Sequence, residues 1–335
     1  TFPRVVTKSP LLKIKKKFLP GSILTLYTMQ AQKKSKKQFP IDLSQYRKLS
    51  VDPFKTKELD QSQLADLKFN VELLRNAIVF FTACGSASGY GGHTGGAYDT
   101  VPEVVLMDAF FRARPDKFVP TFFDEAGHRV ATQYIMSVLR GHMKAERLME
   151  YRRGHAHLPG HPELGMTPGV EFSSGRLGHM WPYVNGVALA EKDKIVFCLG
   201  SDGSQMEGND AEAARLAVLK NLNVKLLIDD NNVTIAGHPT DYMPGYNVEK
   251  TLKGHGMTVS TVDGENFAKL YVAVREAIVF DGPYAVVSKR KMCPGIHDVE
   301  GTCHGHDAIA KKHALEYLSK KGLDDAVTYV LSYYS

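Results

Sequence analysis

The chain has 335 residues, of which 43% are hydrophobic and 10% aromatic, and this composition is typical of a folded protein with a sizeable core. Its net charge of +6 does not indicate nucleic-acid binding, because residues 1–40 hold ten Lys and Arg and no acidic residue, while the remainder has 32 basic and 36 acidic residues. No apolar run approaches the about 20 residues of a membrane-spanning helix, so we expect neither nucleic acid nor a membrane as partner.

Residues 1–40 form a basic N-terminal extension that has three interpretations. The segment is basic and acid-free like an organellar transit peptide, although it is rich in Lys rather than Arg. It also fits a basic surface arm, or an extension that precedes a native start at Met29, since the chain begins with Thr1. In each case we expect a poorly ordered segment that carries no catalytic residue.

The four cysteines are scattered along the chain and form no CxxC pair: Cys84, Cys198, Cys293 and Cys303. This spacing indicates reduced thiols rather than a disulfide framework. It predicts a cytoplasmic location, with organellar targeting by the basic extension as the alternative.

The first regular element is a helix that begins near residue 60. Its apolar residues recur at helical spacing, at Leu64, Leu67, Val71, Leu74 and Ile78. Six glycines follow between residues 85 and 96, and a second helix is predicted over 101–113. The glycine run fits a flexible linker or a tight loop around a ligand, and its shortness and central His favour the loop.

Strands and helices then alternate. We predict strands over 194–200, 224–229, 257–264 and 284–290, with helices over 209–222 and 267–280. This order predicts an α/β fold, an open parallel sheet with helices on both faces. We expect one domain over residues 41–320 and a helical tail over 321–335.

Polar residues follow two consecutive predicted strands. Asp202 comes after the first and Asn231 after the second, and the carboxyl ends of parallel strands share one edge of the sheet. A carboxylate, an amide oxygen and a nearby backbone carbonyl form an oxygen ligand set that suits Mg²⁺ bound to a phosphate. Each dipeptide by itself is a common turn, but the joint placement favours a metal site.

These segments resemble the thiamine diphosphate motif in its transketolase form. The motif residues are SDGSQMEG (201–208) and IDDNNVTIAG (228–237). The resemblance covers roughly residues 55–320 in order, through GGHTGG (91–96), FDEAGH (123–128), PGHPE (159–163), PGVEFSSGRLGH (168–179) and HGHD (304–307). It implies the diphosphate-binding domain of the thiamine-diphosphate-binding fold.

The resemblance implies thiamine diphosphate and Mg²⁺ as cofactors, and it assigns residues to them. The metal ligands would be Asp202, Asn231 and, through its carbonyl, Val233. The cofactor would be lined or its loop supported by Gly175, Leu177, Gly178, Gly203, Glu207 and Ile235. The active-site histidines would be His93, His128, His161 and His304.

Within that set the implied histidine roles differ. His128 and His304 would lie near the diphosphate and the reacting carbon, His161 at the hydroxyl end of the donor sugar, and His93 at the acceptor. The transfer of a two-carbon ketol unit between sugar phosphates creates and discharges alkoxides, so side chains that exchange protons near neutral pH are useful.

The chain also departs from the family pattern. Ser201 replaces the first Gly of GDG, and Arg176, His179 and Met180 replace residues of GPLGQG. Met180 is expected to narrow the cofactor channel. Nothing after HGHD resembles the pyrimidine-binding domain, so the chain is expected to resemble the first subunit of a split transketolase, or a cut longer chain, and to be inactive alone.

Three functions follow from these observations. The first is a component of a ketol transferase that needs a second subunit or domain with the pyrimidine-binding fold and forms a homo-oligomer or a heteromeric complex. The second is a non-catalytic transketolase-like protein with a structural or interaction role. The third, a 2-oxo-acid dehydrogenase alpha subunit, is disfavoured because the second loop reads DDNNVTIAG rather than ENN-x-Y.

Overall fold

A computed structural model describes residues 38–332 of the chain. The interpretations given for residues 1–37 therefore lie outside the described residues. Within residues 38–332 one sheet of parallel strands runs in the order β1-β2-β3-β5-β4. Its strands are β1 (Phe123–Asp124), β2 (Val196–Ser201), β3 (Val224–Asp230), β4 (Thr258–Asp263) and β5 (Tyr284–Lys289). The predicted α/β fold with a parallel sheet is confirmed.

Helices connect and cover these strands. In chain order they are α1 (Gln61–Ala87), α2 (Gly95–Asp99), α3 (Val101–Ala113), α4 (Val130–Leu139), α5 (Met180–Ala190), α6 (Gly208–Leu219), α7 (Pro239–Tyr242), α8 (Val248–Gly254), α9 (Phe267–Val279), α10 (Lys311–Lys320) and α11 (Asp324–Ser332). Short 3-10 turns cover Leu43–Gln45, Ala145–Glu150, Ser204–Met206 and Cys303–Gly305.

The sheet is buried on both faces. Alternate side chains of β2 point in opposite directions, so Phe197 and Leu199 pack with α1, α3 and α9 on one face. Val196 and Cys198 pack with α5, α6 and α8 on the other face. Burial on both faces explains why the strands read as nearly continuous apolar runs.

Helix α1 begins at a capping box, in which Asp60 accepts from the backbone of Gln63 and Gln63 accepts from the backbone of Asp60. The helix runs to Ala87, so it includes the first glycine of the predicted loop. Gly85 is needed inside the helix for packing, because a Cβ there would lie 3.1 Å from the ring of Tyr151. The remaining glycines form the loop that leads to α2.

The packed body of the described residues extends beyond the range in which regular elements were predicted. Phe39 and Val51 are buried in the larger core, and so are Val327 and Val330 of α11. Within residues 38–332 no helix is both long enough and apolar enough to cross a membrane. All four cysteines are free.

Candidate functional site

Two loops meet at the carboxyl edge of the sheet. The backbone N–H of Asp202, directly after β2, donates to the carbonyl of Asp229 in β3 at 3.1 Å. The Asp202 carboxylate accepts from the backbone N–H of Gly203 at 2.8 Å and of Asn232 at 2.7 Å. Because its partners come from both loops, this buried side chain is fixed between them.

The amide of Asn231 has a defined orientation. Its Nδ2 donates to Asp229 Oδ2 at 2.9 Å and to Asp99 Oδ2 at 3.1 Å, while its Oδ1 accepts from the backbone N–H of Val233 at 2.9 Å. Carboxylates only accept hydrogen bonds when ionised, so they require the nitrogen on their side. Asp99 is itself held by the backbone N–H of Cys293 at 2.7 Å. The amide oxygen is thereby left with free acceptor capacity.

Negative charge accumulates at this edge. Burial raises the pKa of Asp202 to about 8, and repulsion from Asp229 and Asp230 adds to the rise. Burial also raises the pKa of Asp229 to about 6, against the attraction of Arg290 and Arg129. Among residues 38–332, Asp229 Oδ1 is a buried atom that accepts no hydrogen bond. Buried carboxylates of this kind favour a bound cation, and the oxygen donors fit a hard divalent ion.

A cavity of about 130 Å³ opens beside these carboxylates. Seven of the sequence-predicted residues line it: His128, Leu177, Asp202, Gly203, Asn231, Val233 and Ile235. Ile235 stands at the rim with 75% of its surface exposed. Met180 instead packs in the smaller core at the start of α5, so Leu177 is the nearby lining residue.

A larger cavity, of about 1180 Å³, lies away from the sheet edge, between the segment 38–48 and α11. Its lining holds neither the acidic loops nor any of the sequence-predicted site residues. The smaller cavity is the candidate site, because it combines buried carboxylates, an oriented amide and imidazoles.

Two glycines in the segment after residue 174 shape the surroundings of the cavity. Gly175 has a φ of 134°, and a Cβ there would lie 2.9 Å from the ring of His161. Gly178 has a φ of 78°, and a Cβ there would lie 2.8 Å from the Cβ of Glu207. Glu207 is the N-cap residue of α6 and lies on the surface. Both positions therefore need glycine for backbone angle and for space.

Four imidazoles, named here the histidine cluster, gather beside the cavity: His93, His128, His161 and His306. The rings of His93 and His128 are stacked, with centroids 3.9 Å apart. The ring of His161 lies 5.5 and 5.6 Å from these two, and that of His306 lies 5.4 and 5.1 Å away. His304 is exposed in the 3-10 turn, and the structure brings His306 to the cluster.

The histidine cluster is held in its neutral form. Burial lowers the pKa of His93 to about 3, and the neighbouring imidazoles of His306 and His161 add to the shift. Burial lowers the pKa of His128 to about 2, with further repulsion from His93 and His306. Neutral imidazoles can accept a proton, donate one, or offer a lone pair to a metal ion.

Several site residues were not predicted from the sequence. His306 was missed, although its only signal was the HGH doublet in which both histidines are candidates. Arg129 is fully buried under the cavity, where it donates to Asp124 Oδ1 at 2.7 Å and to the carbonyl of Gly200 at 2.6 Å. Asp99 carries no sequence signal, since its part in the site is a contact made across 132 positions to Asn231.

Comparison with known proteins agrees with this geometry. The sequence profile of the family "Transketolase, thiamine diphosphate binding domain" matches residues 88–332. One of the two named subunits of the apulose-4-phosphate transketolase of Actinobacillus succinogenes is 28% identical over 266 residues, which is 75% of this chain and 94% of that protein. The chromosomal transketolase of Cupriavidus necator is 30% identical over 268 residues, which is 70% of this chain and 39% of that protein.

Solved structures show the same fold. Transketolases from Leishmania mexicana and Campylobacter jejuni match with a TM-score of 0.66 each, at 24% and 23% identity. The match covers 78% and 77% of this chain and 44% and 46% of theirs, so the chain spans less than half of these transketolases. Since the profile match alone takes in more than half of the chain, the chain belongs to the transketolase family, as its thiamine diphosphate binding domain.

Proposed function

We propose that this chain binds thiamine diphosphate through Mg²⁺ and forms one side of an active site for ketol transfer between sugar phosphates. The observation that carries the proposal is the joint placement of Asp202 and Asn231. They follow neighbouring parallel strands, line one cavity and are both fixed by hydrogen bonds. Ligands of open parallel sheets collect at this edge.

The proposed metal ligands are the Asp202 carboxylate, the Asn231 amide oxygen and the Val233 carbonyl. All three are oxygen donors, as Mg²⁺ requires, and phosphate oxygens would complete the coordination. The raised pKa of Asp202 supports this assignment, because the buried carboxylates need a positive charge that the arginines beneath them only partly supply.

The proposed cofactor contacts come from the cavity and its surroundings. Leu177 and Ile235 line the cavity, Gly175 and Gly178 keep the neighbouring loop close to it, and Gly203 and Glu207 belong to the loop that carries Asp202. When bound, thiamine diphosphate stabilises the negative charge that develops on the transferred carbon unit. The chain contributes the position of the diphosphate and the proton transfers nearby.

The histidine cluster is proposed to perform those proton transfers. His128 lines the cavity together with His306, so these two are assigned to the reacting carbon, and His306 takes the role that the sequence gave to His304. His93 and His161 lie one ring further away and are assigned to substrate hydroxyl groups. Their low pKa values keep them neutral and ready to accept a proton at pH 7.

A second subunit or domain with a pyrimidine-binding fold is the proposed partner, and a homo-oligomer or a heteromeric complex the proposed assembly. The support is that the chain spans nearly all of a protein named as one subunit of a transketolase but less than half of several full transketolases. The four free cysteines support a cytoplasmic or other reducing location.

Isothermal titration of thiamine diphosphate in the presence of Mg²⁺ tests the proposal. Asp202→Asn keeps the shape of the side chain but removes its charge, so we expect Mg²⁺-dependent binding to be lost while the circular dichroism spectrum is unchanged. Asp241→Asn, an exposed acidic residue near the site, is the matched control and should bind as the wild type does. Unchanged binding by Asp202→Asn would refute the metal assignment.

A further inference from the structure

The histidine cluster forms a possible second metal site, chemically distinct from the oxygen ligands of Asp202 and Asn231. We propose that His93, His128 and His161 bind one borderline transition-metal ion, such as Zn²⁺ or Co²⁺. One nitrogen from each of the three side chains lies within 4.8 Å of the others. Imidazole nitrogen suits these ions, whereas Mg²⁺ prefers oxygen, so the two sites select different metals.

The distances are within reach of tetrahedral coordination. Zn–N bonds of about 2.0–2.1 Å place two ligand nitrogens about 3.4 Å apart. The three nitrogens, at most 4.8 Å apart, therefore need to approach one another by about 1.4 Å or less. Rotation of the rings about their side-chain torsions supplies a movement of this size. The stacked pair of His93 and His128, with ring centroids 3.9 Å apart, is already close.

The ligand atoms are available. His93 Nδ1 is buried and has no hydrogen-bond partner among residues 38–332. The imidazoles are neutral at pH 7, as their lowered pKa values show, so metal binding does not have to displace protons from them. Such an unpartnered buried nitrogen is costly in a closed protein and is satisfied by a metal ion.

The surroundings restrict where His161 can move. A Cβ at Gly127 or at Gly175 would come within 3.0 Å of the His161 ring, so both backbones pack directly against it. The third ligand is thus held against two loops, on the side of the ring facing away from solvent. A ligand held in this way needs little ordering when the metal binds.

His93 also belongs to a second possible ligand group, with His306 and Asp307. Asp307 lies 3.9 Å from His93 Nε2, and its side chain is 63% exposed. We assign the ion to the group of three histidines because its members are more buried, and we leave the fourth coordination position to water. His93 is the residue whose loss removes either group.

The test uses the untagged full-length chain without thiamine diphosphate and with excess Mg²⁺, so that oxygen sites are saturated. Co²⁺ is titrated and its visible absorption, which is intense only in tetrahedral coordination, is followed; Zn²⁺ is then added as a competitor. We expect one equivalent of tetrahedral Co²⁺ that Zn²⁺ displaces. His93→Asn, His128→Asn and His161→Asn should each weaken binding by more than the about tenfold that the loss of an outer-shell partner costs.

Two variants serve as controls. His297→Asn changes an exposed histidine outside the cluster, and His306→Asn changes the cluster member outside the proposed ligand set, so both should keep the Co²⁺ spectrum. Absence of tetrahedral absorption would overturn the proposal. So would loss of the spectrum in His306→Asn together with its retention in His161→Asn, because that pattern places the ion at the other group.

Chemical modification provides a measurement that does not depend on the folding of variants. Diethyl pyrocarbonate labels accessible imidazoles, and Zn²⁺ should protect His93, His128 and His161 in the wild type but not His297. Equal labelling with and without Zn²⁺ would contradict the proposal. Neither experiment reads thiamine diphosphate binding, so a negative result here leaves the proposed function untouched, and failure of the Asp202 test leaves this one intact.

Discussion

At the scale of single residues, two glycines a few positions apart lie in opposite environments. Gly178 has a φ of 78°, and an added Cβ would lie 2.8 Å from that of Glu207; Gly186 is in α5 with open space around it. We expect Gly178→Ala to lower the free energy of unfolding by at least about 1 kcal/mol, and Gly186→Ala to raise it by about 0.5–1 kcal/mol. Urea unfolding measures both. Equal stability of Gly178→Ala and the wild type would show that this loop relaxes freely.

The neutral state of the histidine cluster has a cost in acid. Folding lowers the pKa of His128 from about 6.5 to about 2, so below pH 6.5 the unfolded chain takes up a proton that the folded chain refuses. The free energy of unfolding therefore falls as the pH falls through this window, by up to about 1.4 kcal/mol per pH unit for this residue.

Replacement of His128 should remove that slope. Between about pH 7 and about pH 5.5, we expect His128→Asn to gain about 1 kcal/mol of unfolding free energy relative to the wild type. His297→Asn, an exposed position, is the control and should show no comparable gain. Parallel pH dependences of the wild type and His128→Asn in urea unfolding would contradict the burial of this imidazole.

The acidic part of the site was predictable at this scale, and part of the histidine cluster was not. Asp202 and Asn231 follow buried apolar strands directly, so their place at the sheet edge depends only on strand ends. His304 and His306 are two positions apart in an irregular segment, where no periodicity tells which one faces inward. The turn at Cys303–Gly305 decides it, and Gly305 is buried with Met292 and Cys293 against it.

At the scale of elements, the end of α9 is bound to the sheet by a buried lysine. Lys225 in β3 donates from Nζ to the carbonyls of Phe280 at 2.9 Å and Gly282 at 2.6 Å. Cations are favoured at helix C-termini, but burial still lowers the pKa of Lys225 to about 8. Between this value and about 10.4 the unfolded chain keeps a proton that the folded chain loses, so stability rises with pH through this window.

We expect the wild type to gain about 2 kcal/mol of unfolding free energy relative to Lys225→Met between about pH 7.5 and about pH 9.5. Other groups titrate in this range in both proteins, so the difference between them isolates Lys225. Lys220→Met, at an exposed lysine, should follow the wild type in denaturant titrations. A difference that stays constant with pH would mean that Lys225 remains charged in the folded protein.

The predictable elements were those with a strong pattern of their own. The predicted strands 194–200, 224–229 and 284–290 correspond to β2, β3 and β5 within two residues at each end. Three elements were not predicted. β1 has only two residues and exists because β2 pairs with it, and α5 contains Pro182 and Gly186, which disfavour a helix in isolation. The third, α4, lies almost wholly in the core and has no polar face to mark it.

At the scale of the whole molecule, an apolar rim borders the candidate site. Ile235, Tyr242 and Met243 are 75%, 44% and 40% exposed, and all follow β3 within the described residues. Exposed apolar groups beside a site mark an interface with another chain or domain. The proposed pyrimidine-binding partner is the occupant that fits, since it would cover the cavity from this side.

A matched pair of variants tests the rim. Ile235→Ser removes an exposed apolar side chain at the cavity, and Leu219→Ser removes one, 78% exposed, at the end of α6. We expect only Ile235→Ser to weaken association with the partner subunit in analytical ultracentrifugation. Equal weakening by both variants would show that the rim holds no special place in the interface.

The last prediction concerns activity and rests on the proposed function. The chain alone presents the metal ligands, the lining of the diphosphate cavity and the histidine cluster, which together hold one end of the cofactor. The reactive rings would remain exposed to water on the side of the rim, without the partner groups that activate the aminopyrimidine. We therefore expect the purified chain to bind thiamine diphosphate with Mg²⁺ but to give no ketol transfer from a ketose phosphate to an aldose phosphate. Addition of the partner subunit should restore turnover, whereas turnover by the chain alone, shown by mass spectrometry to be free of a second subunit, would refute the division of the active site.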